Sequence, residues 1–170
     1  KLVRAADSVG AQYVQISPPY YFAATEGDFY EYILAAAETS DIGIVIYNTF
    51  WTSSNVSNSM IERLVDLPNV VGLKWSTPDH SFLSFERAVV RFSGQVSVID
   101  NRLSYVTSHM MGARGIELHP TNYWPQWGVR TWELLESGRY KEAQDELVRV
   151  ALPFYEVWED MAKYTGGDGY

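Results

Sequence analysis

Asn69-Val70-Val71-Gly72-Leu73-Lys74-Trp75-Ser76 is the stretch on which the reading of this chain turns. Val70, Val71 and Leu73 make a near-continuous apolar run, the pattern of a strand covered on both faces. One lysine, Lys74, sits near its C-terminal end. A charged amine is costly in such a place unless it is paired or neutralised. Lys74 is therefore a candidate Schiff-base nucleophile, set against the plainer alternative of a strand-end lysine whose ammonium reaches water.

Outward from this strand, the pattern alternates. Upstream, Tyr13-Val14-Gln15-Ile16-Ser17 reads as a strand stopped by Pro18-Pro19, with Tyr20-Tyr21-Phe22 in the loop beyond. Before it, residues 1–9 read as the tail of a helix closed by Gly10. Residues 27–39 have helical periodicity, with Phe29, Tyr32, Ile33 and Ala36 on one face. A strand at 43–48 and a helix near 57–66, capped by Ser57, complete the approach to the lysine strand. Downstream, Pro78 and Asp79 precede a helix running to about Phe92, and a fourth strand covers 96–100. A short helix near 102–111 ends at Gly112, and a fifth strand, 115–119, is stopped by Pro120. From about Trp124 the chain is helical, with Gly138 between two helices and a kink expected at Pro153.

Strands alternating with helices indicate βαβ units and a parallel sheet, of the (β/α)8 barrel or doubly wound kind. No Gly-x-Gly-x-x-Gly or Walker-type loop follows any strand, which weighs against nucleotide binding and calls for no cofactor. Five strands do not close an eight-stranded barrel, so a barrel reading places the earlier strands outside this sequence. The chain accordingly reads as a piece of a longer one: it opens at Lys1-Leu2-Val3 within an amphipathic pattern, without an initiator Met.

Composition bounds the partners. The 170 residues are 46% hydrophobic and 20% charged, as in a globular protein with its own core. A net charge of −8 argues against nucleic acid, whose phosphates need a basic face. There are no cysteines, which excludes disulfides, thiolate metal sites and cysteine nucleophiles and suits a cytoplasmic location. No apolar run is long enough to span a bilayer. The three histidines and scattered carboxylates show no metal-ligand spacing.

Side chains alternate faces along a strand, and in a barrel one face meets helices while the other fills the interior. With Val14/Ile16, Ile44/Ile46, Val71/Leu73 and Ile116/Leu118 as the helix-facing pairs, Ser17, Tyr47, Lys74, Glu117 and His119 turn to a common interior. Alternation does not place Ser97 or Asp100. A cluster holding an amine, a phenol and a carboxylate is expensive as packing and sensible as chemistry.

These residues resemble a known superfamily. Pro19-Tyr20-Tyr21 after a strand, Tyr47-Asn48 ending the next and Gly72-Leu73-Lys74 on the third are similar to dihydrodipicolinate synthases and N-acetylneuraminate lyases. Gly115-Ile116-Glu117, Thr121-Asn122 and the helical run Gly138-Arg139-Tyr140-Lys141-Glu142-Ala143 extend the likeness. The resemblance implies the C-terminal portion of a (β/α)8 barrel, about strands 4–8, in residues 1–124. Residues 125–170 would supply the last barrel helix and the start of a C-terminal helical region. It implies a class I lyase in which Lys74 forms a Schiff base with a 2-keto acid such as pyruvate and Tyr47 relays protons. Tyr21 matches a tyrosine that reaches a neighbouring subunit's site in the synthases, and a homo-oligomer, dimer or tetramer, is implied. Thr49, Ser17, Tyr21 and Glu117 are the expected substrate-binding residues. Two departures stand out. The family's early Gly-Thr-Thr-type motif, which holds the keto-acid carboxylate, would precede Lys1. Thr52 stands where the synthase branch has an arginine, and losing that bidentate carboxylate anchor argues against aspartate semialdehyde as the second substrate. Phe50 and Trp51 make the same loop aromatic. Glu117 replaces an apolar residue and is read as a Lys74 partner, an acid/base, or a structural partner of an arginine such as Arg114. The rival readings are 4-hydroxy-tetrahydrodipicolinate synthase and a non-catalytic barrel that binds a keto acid.

Overall fold

The computed structural model describes residues 1–75 and 84–166. The expected helix start at Pro78 and Asp79, and Ser76 itself, lie outside the described residues. The chain packs as two compact units, Lys1–Gly115 and Ile116–Tyr170.

The first unit alternates strictly: α1 (Leu2–Ser8), β1 (Tyr13–Ile16), α2 (Glu26–Ala37), β2 (Gly43–Tyr47), α3 (Asn58–Val65), β3 (Val70–Trp75), α4 (Ser84–Phe92), β4 (Ser97–Asp100), α5 (Tyr105–Met111) and the short β5 (Gly115–Ile116) at its boundary. The strands lie in one sheet in sequence order, β1-β2-β3-β4-β5, with β1 to β4 registered in parallel. A doubly wound sheet reverses its strand order at a switch point and this one does not, so the progression is that of a barrel.

Local chemistry sets the helices. Thr25 caps α2 in a closed box with Asp28: each side chain bonds the other's backbone N–H, at 3.1 and 2.9 Å. Ser57 caps α3, its hydroxyl accepting from the Met60 N–H at 3.2 Å. Gly112 ends α5 with φ +118°, a conformation side chains resist. One apolar face of α2, of α3 and of α4 packs on the sheet. Phe29, Ile33 and Ala36 of α2, Ile61 and Leu64 of α3, and Phe85, Ala88 and Val89 of α4 meet Ile16, Ile44, Ile46, Leu73, Trp75 and Val98.

Three expectations need correcting. Val71 is not a helix-facing residue: the β2–β3 register runs from Ile44 opposite Val70 to Val45 opposite Gly72, so Val71 is bulged out and exposed. Val70 takes its place in the core. Tyr32 is half-exposed rather than part of the buried α2 stripe, and borders a groove of about 670 Å3 along the edge strand β1. The fifth strand is shorter than read, because the chain turns into a 3-10 helix (His119–Asn122) around Pro120.

Leu103, half-exposed between β4 and α5, has φ +64°, a left-handed conformation that strains a side chain with a Cβ. Leu103→Gly is expected to raise stability by about 0.5–1 kcal/mol, the relief of strain exceeding glycine's entropy cost. Urea unfolding checks this; an unchanged or lower midpoint means that the backbone is not strained there.

The second unit holds α6 (Pro125–Glu136), α7 (Tyr140–Glu146) and α8 (Leu152–Thr165). Trp127, Leu134, Leu135 and Ala143 form its buried side, and the Trp127 indole donates to Glu146 Oε2 at 3.2 Å. Pro153 produces no simple break. The residues before it, Leu147–Ala151, widen into a π-turn, which accommodates a ring that lacks an N–H and crowds the preceding turn.

Candidate active site

β2 and β3 end side by side, with Tyr47 opposite Lys74 in the register. Both side chains leave the face away from the helix layer, because Ile46 and Leu73 before them and Trp75 after them are committed to the core. The Lys74 Nζ lies over the Tyr47 ring, 4.0 Å from its centroid. An ammonium on an aromatic face is held by the ring's quadrupole, which fixes the amine against one wall of the site. Gly72 lets the strand seat itself closely. A Cβ there would stand 3.2 Å from the Ser97 carbonyl oxygen and 3.3 Å from a Val45 methyl.

The loop after β2 is built on Asn48. Its fully buried amide donates to Asn55 Oδ1 at 2.9 Å, and its oxygen accepts from the Val56 N–H at 3.0 Å. Within this clamp, residues 49–53 make a tight turn in which the Thr52 and Ser53 N–H groups both donate to the Thr49 carbonyl. Thr49 is buried and its hydroxyl pairs with Ser53 Oγ at 2.9 Å. Trp51 meets Tyr47 edge-on at 5.7 Å between centroids, and Phe50 meets Trp51 at 5.0 Å.

At the end of β4 stand two residues that alternation did not place, of which one reaches the site. Asn101 donates its amide N–H to the Tyr47 hydroxyl at 3.3 Å. Its one sequence signal is its position just past a strand's C-terminal end, where barrel sites gather. Asp100 turns the other way, into the helix layer, and is fully buried. It accepts from the Arg102 N–H at 2.6 Å and from Ser108 Oγ at 2.6 Å. Burial pushes its carboxyl above the usual carboxylate range, although the bonds from Ser108, Arg102 and Ser104 and the Arg102 charge pull the other way.

Ser17 lies just past β1 on the wall of the edge groove, with Gln15, Tyr20 and Phe22. Tyr21 is 91% exposed and makes a protruding aromatic run with Tyr20 and Phe22. Glu117 and His119 belong to the second unit, where Glu117 Oε1 stands 3.4 Å from His119 Nε2. The imidazole packs on α8, with Trp158 and Tyr155 at 4.8 and 6.0 Å between centroids.

Comparison with known proteins bears on both fold and chemistry. The family model described as the dihydrodipicolinate synthetase family matches residues 1–158. An uncharacterized DapA-like lyase of Thermococcus kodakarensis is 26% identical over 152 residues, covering 84% of this chain and 50% of the relative. The 4-hydroxy-tetrahydrodipicolinate synthase of Phenylobacterium zucineum is 38% identical over 88 residues, covering 51% of this chain and 30% of that enzyme. Among solved structures, dihydrodipicolinate synthase from Aquifex aeolicus superposes with a TM-score of 0.81 at 24% identity, covering 92% of this chain and 54% of that one. The chain thus spans about half the length of the first of these relatives and of the solved structure, and its sheet is part of a (β/α)8 barrel.

Proposed function

The chain belongs to the dihydrodipicolinate synthetase family, a family of lyases, and from that premise we propose that it supplies the Schiff-base half of a class I lyase acting on a 2-keto acid. In this reading residues 1–124 belong to the partial barrel, and the chain from residue 125 supplies the last barrel helix and the start of the C-terminal helical region. The observation that carries the reading is the Lys74 amine held on the Tyr47 ring at the ends of two registered strands.

The chemistry follows from these groups. The neutral Lys74 amine adds to the keto carbon, and loss of water gives an iminium. That cation takes up the electron pair when a bond beyond the neighbouring carbon is made or broken. The Tyr47 phenol, oriented by Asn101, passes protons to and from the carbinolamine oxygen and the adjacent carbon. Either an aldolase or a sugar-acid dehydratase uses these steps. Ser17, Thr49, Tyr21 and Glu117 bind substrate in this reading, and the exposed Tyr20-Tyr21-Phe22 run suits contact with a second copy in a homo-oligomer. No helix among the described residues is long and apolar enough to cross a membrane.

Incubation of the native protein with pyruvate and borohydride tests the reading. A reduced adduct mapped to Lys74 is expected, and absence of any adduct with pyruvate or longer 2-keto acids overturns it in favour of a non-catalytic keto-acid binder. The narrower identity of 4-hydroxy-tetrahydrodipicolinate synthase is disfavoured at Thr52, whose hydroxyl is turned back to the Thr49 carbonyl at 3.2 Å.

A further inference from the structure

The loop between β2 and α3 carries more information than the lysine reaction requires. Residues 48–62 contain no Lys, Arg or His. The hydroxyls of Thr49, Thr52 and Ser53 are bonded within the loop, and that of Ser54 donates to the Ala24 carbonyl at 2.6 Å. What the loop presents next to the reactive pair is Trp51, 47% exposed and edge-on to Tyr47. Phe50 backs its ring at an interplanar angle of 88°. Arg102, the other Lys or Arg just past these strand ends among the described residues, is turned to α4: its guanidinium is 6.0 Å from the Phe85 ring centroid and 4.0 Å from Glu86. The side of this loop that borders the reactive pair is therefore, among the described residues, aromatic and uncharged, and Asn48 clamps both ends of the loop.

We propose that the second substrate, the aldehyde joined to or released from the keto acid, is an uncharged aromatic aldehyde whose ring packs on Trp51. This deepens the Schiff-base reading and rests on it. A carboxylate-bearing aldehyde would be stripped of water beside rings that offer it no countercharge, which is costly. An aromatic ring instead gains apolar burial and offset or edge-on ring contacts.

The reaction balances without an external oxidant. The Lys74 amine and pyruvate form an iminium and release one water. The methyl carbon then loses a proton to give the enamine. The enamine carbon's electron pair forms the new C–C bond to the aldehyde carbon, and the aldehyde π pair moves to oxygen, which takes up one proton. One water hydrolyses the iminium, returning Lys74 and a 4-aryl-4-hydroxy-2-keto acid. Cleavage is the same sequence reversed.

The native protein is assayed for condensation of pyruvate with benzaldehyde, succinic semialdehyde and glyceraldehyde, with borohydride trapping of pyruvate alone run in parallel. Benzaldehyde is expected to be preferred by at least about tenfold in kcat/KM. Trp51→Ala is expected to lower benzaldehyde condensation roughly 10–100-fold more than it lowers pyruvate trapping, and Trp51→Phe to restore most of the loss. Trapping in each variant reports that the lysine site has folded. Trapping in the wild type together with a preference for either aliphatic aldehyde, or with equal losses in Trp51→Ala, overturns the aromatic assignment while leaving the Schiff-base reading intact. No trapping in the wild type overturns both.

Discussion

Replacing Tyr47 by phenylalanine is expected to lower turnover about 100- to 10,000-fold while Lys74 remains open to trapping by pyruvate and borohydride. Phenylalanine keeps the ring on which the Lys74 amine rests at 4.0 Å and the ring that Trp51 meets edge-on, and removes the hydroxyl alone. The amine should therefore stay in place and still form the iminium, more slowly, with water in the role of proton carrier. What is lost is the group that moves protons at the carbinolamine and the neighbouring carbon, together with the acceptor of the Asn101 bond. Lys74→Ala is the matching control: it should abolish trapping altogether. Trapping kinetics followed by intact mass, alongside steady-state turnover, separate the two. If Tyr47→Phe and Lys74→Ala are equally untrappable, the Tyr47 hydroxyl is needed to form the iminium itself and not only for the later proton transfers. If Tyr47→Phe turns over normally, the relay lies elsewhere.

The pair behind this experiment was legible before any coordinates because its signals are local. Ile44 and Ile46 flank Val45, Leu73 precedes Lys74, and strand alternation then sends Tyr47 and Lys74 to one face. The alternation of strands with capped helices was legible for the same reason, since Ser57 and Gly112 mark helix ends by their own chemistry. The choice between a barrel and a doubly wound sheet needed the strand order, which no single segment encodes. Val71 was misplaced because a bulge adds one residue to one strand of a pair, and only the partner strand reveals the extra residue. Asn101 was missed because an asparagine at a strand end looks like turn chemistry until its amide is seen on Tyr47. The aromatic loop was visible in sequence, but its uncharged character is convincing only once its hydroxyls are seen turned inward and Arg102 turned to α4. Asp100 was the hardest residue to place. A carboxylate on the helix side of a strand contradicts binary patterning, and its reason lies on α5, eight residues later.

Asp100 also carries a large expected stability effect, because it is fully buried and accepts bonds from its neighbours. Asp100→Ala removes an acceptor shared by the Arg102 N–H and the buried Ser108 hydroxyl, and should destabilise the protein by about 2–4 kcal/mol. Asp100→Asn should cost under about 1 kcal/mol. Its oxygen still accepts from the Arg102 N–H, its NH2 group donates to Ser108, and the Ser108 hydroxyl donates to the Tyr105 carbonyl, already 3.3 Å away. The two forms differ most in their response to pH. Because burial raises the Asp100 pKa above its ordinary value of 3.8, the folded state keeps a proton that the unfolded chain has released. Stability contributed by this group is therefore greatest below that ordinary value and falls as pH rises through the window up to the folded pKa, beyond which the loss is constant. Asparagine does not titrate, so the stability of the wild type relative to Asp100→Asn should decline with rising pH from the acid end of that window. Urea unfolding of both proteins at a series of pH values measures the difference directly. Parallel curves would mean that the buried carboxyl's bonds from Ser108, Arg102 and Ser104 fully offset its desolvation. A difference that grows in the wild type's favour with pH would mean that they outweigh it, and that Asp100 stabilises β4 and the start of α5 as a true carboxylate.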